Sequence, residues 1–381
     1  MKKSVKIIFH IDLNAFFASC HIIREPYLND KVFVVGGSAQ SGRGVVSTAS
    51  YKARAYGITS AMSVPEAMAL FPRLLVVPTD FRLYRTYSER FFELLGSYSD
   101  KILQGSIDEA YIDMTEASET THPLALAREI QNRLKVEHGL PSSIGIAPTL
   151  FLAKMASDMK KPMGITVMRK KDIVKTLFPL PIKDMYGIGK KTWPRLMDKG
   201  IMTIGDFMHP GNREKVTGLI GEENYAHYVR HVKGKSSDIV DPDAWKIPKS
   251  VSSETTLNYP IEAKDAVFEV IRDQFEDTYR RLLKDELVTK TVGIKTRNAR
   301  FENKTRSVTL DGHTDDKAVL LDAVETVFDT TFSDEPVRLA GVFFNQVMLK
   351  KDLKTDINLF NYQTFSRREA GFYGDTKETD D

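Results

Sequence analysis

The stretch Ser106-Ile107-Asp108-Glu109-Ala110-Tyr111-Ile112-Asp113 sets the terms on which this chain can fold. With Ile102 and Leu103 ahead of it, it reads as a short buried strand. Two adjacent carboxylates at the head of such a strand are costly to bury unless a cation or a proton neutralises them. Successive strand residues face opposite ways, so Asp108 and Glu109 share a ligand only where the chain bends. Asp12 closes a second apolar strand, 5–12. If the two strands are neighbours, three carboxylates meet at one sheet edge. Hard oxygen donors of that kind suit Mg2+, and two such ions clamp the attacking and leaving oxygens of a phosphoryl transfer. A turn or helix cap at Asp108-Glu109 is the plainer reading, and this stretch alone leaves it open.

Bulk properties narrow the field. At 381 residues, two to four domains are expected. A net charge of +3 requires any nucleic-acid surface to be local. The single cysteine, Cys20, excludes an intramolecular disulfide and a cysteine zinc site. Lys6, His10 and Asp12 interrupt any apolar leader after Met1-Lys2-Lys3, and no run of about 18 apolar residues occurs. A cytoplasmic protein without a membrane span is expected.

Taken in order, strand 5–12 enters a turn and a helix bearing Phe16 and Phe17. One ring can face the core and the other a site at Asp12, or both can be core. Strands at 31–37 and 44–49 precede a helix that sets Tyr51 and Arg54 at i and i+3, a pair able to hold adjacent phosphates or simply face solvent. Ser63-Val64-Pro65-Glu66 opens another helix. Helices over 82–99 and 123–138 and a strand over 142–147 complete an α+β layer, expected to be antiparallel with helices on one face. The helix starting at Phe151 ends at Pro162-Met163-Gly164 and gathers Lys154, Lys160 and Lys161 near the turn. Those lysines answer the helix dipole, or contact a triphosphate or DNA backbone.

A second unit begins near 171. Gly187-Ile188-Gly189-Lys190-Lys191 between short helices has the pattern of a helix-hairpin-helix, with 215–221 as a degenerate second copy. Residues 236–248 read as a linker. After them comes a βαββαβ order, a compact split-βαβ domain, with Lys295 and Arg297 on one strand face. Arg300, Lys304, Arg306 and Arg338 add basic content, suggesting a one-faced stripe for a nucleic-acid backbone or a solvated sheet. In the polar tail, Asp356-Ile357-Asn358-Leu359-Phe360 forms an apolar island suited to docking.

The segments HIDLNAFFA, STASYKARAYG, SIDEAYID, FLAKMASDMKKPMG, YGIGKKT, KSVSSETT and VRLAGV occur in that order across about residues 5–350. As an ordered set they resemble the Y-family translesion DNA polymerases of the bacterial DNA polymerase IV type. The resemblance implies a multidomain α+β right hand. Its parts would be a ferredoxin-like palm (1–12 and 80–170), small fingers (13–79), a helix-hairpin-helix thumb (171–235), a linker (236–248), a split-βαβ little finger (249–350) and a flexible tail (351–381). It assigns two Mg2+ ions to Asp12, Asp108, Glu109 and the Leu13 carbonyl, and a ribonucleotide-excluding gate to Phe17. Tyr51, Arg54 and Lys161, with Thr48 nearby, would contact the triphosphate. DNA contacts are expected at Lys154, Gly187, Gly189, Lys190, Lys191, Ser250, Lys295, Arg297 and Arg338. Ile357, Leu359 and Phe360 would dock a replication sliding clamp. The implied activity is template-directed, low-fidelity DNA synthesis by a monomer on primer-template DNA with deoxynucleoside triphosphates, without a proofreading exonuclease. Three rival readings compete with it. A nucleotidyl cyclase explains the carboxylates but not the hairpin or the basic domain. A catalytically dead clamp-docking accessory would lack a carboxylate or phosphate ligand, and none is lacking here. A mutasome subunit of the UmuC type would need partner proteins for activity.

Overall fold

In the computed structural model, which describes residues 5–37, 44–332 and 335–353, β1 (Ile8–Leu13) is the strand on which the first unit is built. The order that follows is α1 (Phe16–Arg24), β2 (Phe33–Gly36), β3 (Val46–Ala49), α2 (Tyr51–Arg54), α3 (Val64–Leu70), β4 (Leu75–Pro78) and α4 (Phe81–Gly96). Next come β5 (Ile102–Gln104), β6 (Glu109–Asp113), α5 (Ala117–Thr120), α6 (Pro123–His138), β7 (Ser142–Ala147), α7 (Leu150–Asp158) and β8 (Ile165–Val167). The central sheet runs β5-β6-β1-β7-β8, and a smaller one β3-β2-β4. Strand β4 has no counterpart among the strands expected from the sequence, although its apolar run Leu74-Leu75-Val76-Val77 before Pro78 is a strand signal; it forms the edge of the smaller sheet, parallel to β2.

All six residues of β1 are buried, which marks a strand covered on both faces. Phe9, Ile11 and Leu13 pack with α1, α4 and α6. Ile8 turns the other way into a core shared with α7. The expected layer with helices on one face is therefore corrected: α7 covers the second face, and its crossover brings β8 in parallel to β7. Helix α7 lies against the sheet because Gly145 has no side chain. A Cβ there would sit 2.0 Å from the Ala153 carbonyl and 2.4 Å from the Ser157 amide.

On its outer side α7 packs on short helices: α8 (Ile173–Thr176), α9 (Trp193–Met197), α10 (Ile204–Met208), α11 (Arg213–Ile220) and α12 (Glu222–Val232). The hairpin at Gly187 is held by its backbone. Gly187 has φ +92°, and the Tyr228 hydroxyl donates to its carbonyl at 2.8 Å. A second hairpin at 215–221 is not formed: Gly218 lies within α11, and Gly221 alone links α11 to α12.

The second compact unit, Trp245–Asp381, parts from Met1–Ala244 inside the polar stretch 236–248. It comprises β9 (Ser250–Ile261), α13 (Lys264–Lys284), β10 (Leu287–Asn298), β11 (Asn303–Thr314), α14 (Lys317–Thr331) and β12 (Val337–Asn345). The sheet order β11-β10-β12-β9 places one strand between the ends of each βαβ crossover, the split arrangement expected. Both helices cover one face, through Val251, Val292, Ile294, Val342 and Phe344. Residues 356–360, with Ile357, Leu359 and Phe360, lie outside the described residues. Among the described residues no helix is long and apolar enough to cross a membrane.

Filling the Gly145 contact tests this account. Gly145→Ala is expected to lower stability by about 1–3 kcal/mol in urea unfolding, because the backbone of α7 must move away. An unchanged midpoint would show that the close approach is not required.

Candidate active site

The pairing of β1 with β6 sets Asp12 directly opposite Glu109, so their side chains leave the sheet on the same face. Asp108 is the residue before β6, in a bend, and the Leu13 amide donates to its carbonyl at 3.0 Å. That bend is the one the adjacent carboxylates required. Ser106 closes it: its hydroxyl donates to Asp108 Oδ1 at 2.6 Å and accepts from the Asp108 amide at 3.2 Å. All three carboxylates line one polar cavity of about 340 Å3, together with Leu13, Phe17, Thr48, Tyr51, Arg54 and Lys161. A larger apolar cavity of about 910 Å3 lies beside β8 and holds none of these groups.

Two lysines neutralise the carboxylates. Lys154, from α7, donates to Glu109 Oε1 at 2.6 Å and to Asp12 Oδ2 at 3.2 Å, with its side chain 9% exposed. Lys161 donates to the same Asp12 oxygen at 2.6 Å. The expectation of Lys154 on the DNA backbone is corrected: its ammonium is buried among carboxylates and turned away from solvent. Burial, and then the facing Glu109 carboxylate, pushes Asp12 up to about 7 against the pull of Lys161 and Lys154. Burial would raise Glu109 as well, but the facing His10 ring, Asp12 and Lys154 hold it well below the usual carboxylate range. Asp108 is raised, mainly by burial.

Groups without a motif of their own also shape this site. Ser157 Oγ donates to the Lys154 carbonyl at 2.8 Å and lies 2.8 Å from His10 Nδ1. Burial holds His10 below its usual value, and its Nε2 faces Glu109 Oε2 at 3.7 Å, beyond a hydrogen bond. Asn14 Oδ1 accepts from the Met163 amide at 2.8 Å, and its Nδ2 donates to Ser143 at 3.0 Å. It thereby ties the turn carrying Lys161 to the end of β1. The period of β1 could have flagged His10 as a polar residue inside an apolar run. Asn14 has a long local contact to the Asp12 carbonyl at 3.5 Å, and its shorter side-chain contacts come from Ser143 and Met163, 129 and 149 residues away.

Both rings line the cavity: Phe16 is fully buried in the core, and the half-buried Phe17 stacks on Tyr84 at 4.0 Å and 10°. Across the cavity the Arg54 guanidinium lies 4.9 Å over the Tyr51 ring, with Nε donating to the Ala49 carbonyl. The Tyr51 hydroxyl is buried without a partner among the described residues.

The remaining expected DNA contacts are distributed as follows. Gly187, Gly189, Lys190 and Lys191 form one exposed hairpin. In the second unit, Ser250, Lys295 and Arg297 share the sheet face opposite the helices. Lys295 is paired to Glu254 at 2.6 Å, and Arg297 donates to Asn303 at 2.7 Å. The expected one-faced basic stripe is corrected, because Lys304 and Arg306 stand opposite Thr296 and Ile294 and so take the other face. Ser252, Thr256, Thr305 and Ser307 make the open face hydroxyl-rich instead. Arg338 is half-buried, with Nη1 lacking a partner among the described residues.

Comparison with known proteins agrees with this geometry. The model of the impB/mucB/samB family matches residues 11–158, and that of the family's C-terminal domain residues 248–357. DNA polymerase IV of Bacillus velezensis is 37% identical over 96% of this chain and 88% of its own length. DNA polymerase IV 1 of Bacillus subtilis is 37% identical over 96% and 87%. The chain belongs to the Y-family DNA polymerases. Among solved structures, a Y-family chimera of Dbh and Dpo4 superposes with a TM-score of 0.78 at 25% identity, covering 90% of this chain and 99% of that one. The insertion ternary complex of Dbh DNA polymerase gives 0.64 at 25%, with the same coverage.

The unpartnered Tyr51 hydroxyl carries a prediction. Tyr51→Phe is expected to change stability by less than about 0.5 kcal/mol, since no protein hydrogen bond is lost. The same variant should raise the KM for an incoming nucleotide. Steady-state primer extension alongside thermal unfolding reads both, and an unchanged KM would remove the hydroxyl from substrate binding.

Proposed function

We propose that the cavity bounded by Asp12, Asp108 and Glu109 on one side and by Thr48, Tyr51, Arg54 and Lys161 on the other binds an incoming deoxynucleoside triphosphate and joins it to a primer 3′-hydroxyl. As a Y-family member of the DNA polymerase IV type, the chain is a DNA-directed DNA polymerase of the translesion class. The observation that carries the site reading is the cavity itself. One buried and two half-buried carboxylates face a guanidinium and a phenol whose hydroxyl has no partner among the described residues, with a ring, Phe17, against the wall.

The donor set fits Mg2+ in kind: carboxylate oxygens and the Leu13 carbonyl, with two ammonium groups now lying among those oxygens. Among the described residues no three His, Cys, Asp or Glu side chains close into a metal cage. Asp12, Asp108, Glu109 and Leu13 would hold the metals, which when bound supply charge to activate the primer hydroxyl and neutralise the triphosphate. The chain's own groups position the reactants. Arg54, through its fork of donors, and the Tyr51 hydroxyl orient phosphate oxygens. Lys161 offers a cation to the leaving pyrophosphate. The Phe17 ring, backed by Tyr84, packs against the sugar and leaves no room for a 2′-hydroxyl. The exposed hairpin at 187–191 and the open face of the 249–350 domain would hold the DNA backbone. Low fidelity without proofreading belongs to the same proposal and rests on family membership. Docking of 356–360 on a sliding clamp rests on its apolar pattern.

Primer extension by the purified chain with Mg2+ and single nucleotides tests this reading. Asp108→Ala is expected to lose synthesis by about a hundredfold or more while keeping DNA affinity. Phe17→Ala should raise ribonucleotide use by about tenfold or more. Removing 356–360 should abolish only the stimulation given by a clamp. Wild-type turnover in Asp108→Ala would sink the metal assignment, and an unchanged sugar preference would sink the gate.

A further inference from the structure

Two ammonium groups occupy the oxygens that the proposed metals need, and both also touch a carboxylate outside that set. Lys154 Nζ lies 2.6 Å from Glu109, 3.2 Å from Asp12 and 3.5 Å from Asp158. Lys161 Nζ lies 2.6 Å from the same Asp12 oxygen and 2.7 Å from Asp158. Asp158 sits one helical turn after Lys154 on α7, with 41% of its side chain exposed, whereas the Asp12 side chain is 8% exposed.

We infer that Lys154 is a built-in counter-cation for the metal site. In the metal-free chain it holds Asp12 and Glu109 side by side, and it yields their oxygens to an arriving divalent ion by shifting onto Asp158. Like charges just inside the carboxylate pair would repel strongly in a buried setting, so ion and ammonium exclude one another. The shift is short. Lys154 already reaches Asp158 at i+4, and a lysine stem swings about its own rotamers without moving α7. Lys161 has the same carboxylate in contact, so one exposed Asp158 serves both lysines. The exchange lets the buried Asp12 and the half-buried Glu109 stand side by side before metal arrives, at the cost of weaker metal affinity. Lys154 is thus a positioning residue whose charge sets how tightly the site takes its ion. This rests on reading Asp12 and Glu109 as metal ligands.

The test is titration of the full chain with Mn2+ alone, without DNA or nucleotide, followed by electron paramagnetic resonance of free Mn2+. Lys154→Met keeps the stem and removes the charge. It is expected to tighten Mn2+ binding by about tenfold or more and to lower the melting temperature of the metal-free chain. Asp158→Asn removes the alternative partner and is expected to weaken Mn2+ binding, an opposite sign that stands if Lys154→Met fails to fold. Lys160→Met, at an exposed neighbouring lysine, is the control for charge at a distance and should leave the affinity unchanged. Unchanged or weaker binding in Lys154→Met, equal tightening in Lys160→Met, or unchanged binding in Asp158→Asn would each overturn the exchange. Wild-type chain that takes up no Mn2+, or keeps its uptake in Asp12→Ala, would instead overturn the ligand reading beneath it.

Discussion

Placing Asp12 and Glu109 opposite one another inside a sheet edge is the constraint to which the first unit answers. Exposed ion pairs contribute about 0–1 kcal/mol, whereas a buried carboxylate left without a partner costs several kcal/mol. The pairs at this site belong to the second kind. Asp12 is shielded from solvent and held by Lys154 and Lys161. Ion pairs elsewhere, such as Arg280 with Asp277, are exposed and add little.

Meeting that constraint dictates the local packing. Lys154 reaches the carboxylates because α7 approaches the sheet over Gly145, a contact that any side chain would break. The same approach brings Ser157 to 2.8 Å from His10 Nδ1. On the opposite face, β1 supplies Phe9, Ile11 and Leu13 to a core with α1, and α1 delivers Phe16 to that core and Phe17 to the cavity. A single strand therefore serves two cores and one site. Its uninterrupted burial follows from that role.

The second unit solves a different problem. Its helices consume one sheet face for burial, and the other is left to Ser, Thr and two cations, one already paired to Glu254. Hydroxyls and backbone-proximal donors suit a phosphate backbone read by shape rather than by sequence. The net charge of only +3 fits a surface of this mixed kind better than a polycationic one.

Much of this is legible in the chain alone. The order of elements in the second unit, most of that in the first (β4 and β8 excepted), helix 123–138 and strand 142–147 to the residue, and the grouping of Asp12, Asp108 and Glu109 all follow from local periodicity and from the cost of burying charge. The division of labour between Phe16 and Phe17 is one of two arrangements that the sequence permits. Tertiary structure decided the rest. Lys154 carries the spacing of a helix-end lysine, and only the close packing of α7 on Gly145 makes it a counter-cation. Asn14 is held chiefly from afar, because its shorter contacts, to Ser143 and Met163, arrive from distant segments. The split of Lys295 and Arg297 from Lys304 and Arg306 depends on strand register, which hydrogen bonding between neighbours sets and a single strand's pattern does not. Sequence by itself determined which residues bear charge and where the chain turns; proximity across the fold determined which charges neutralise one another.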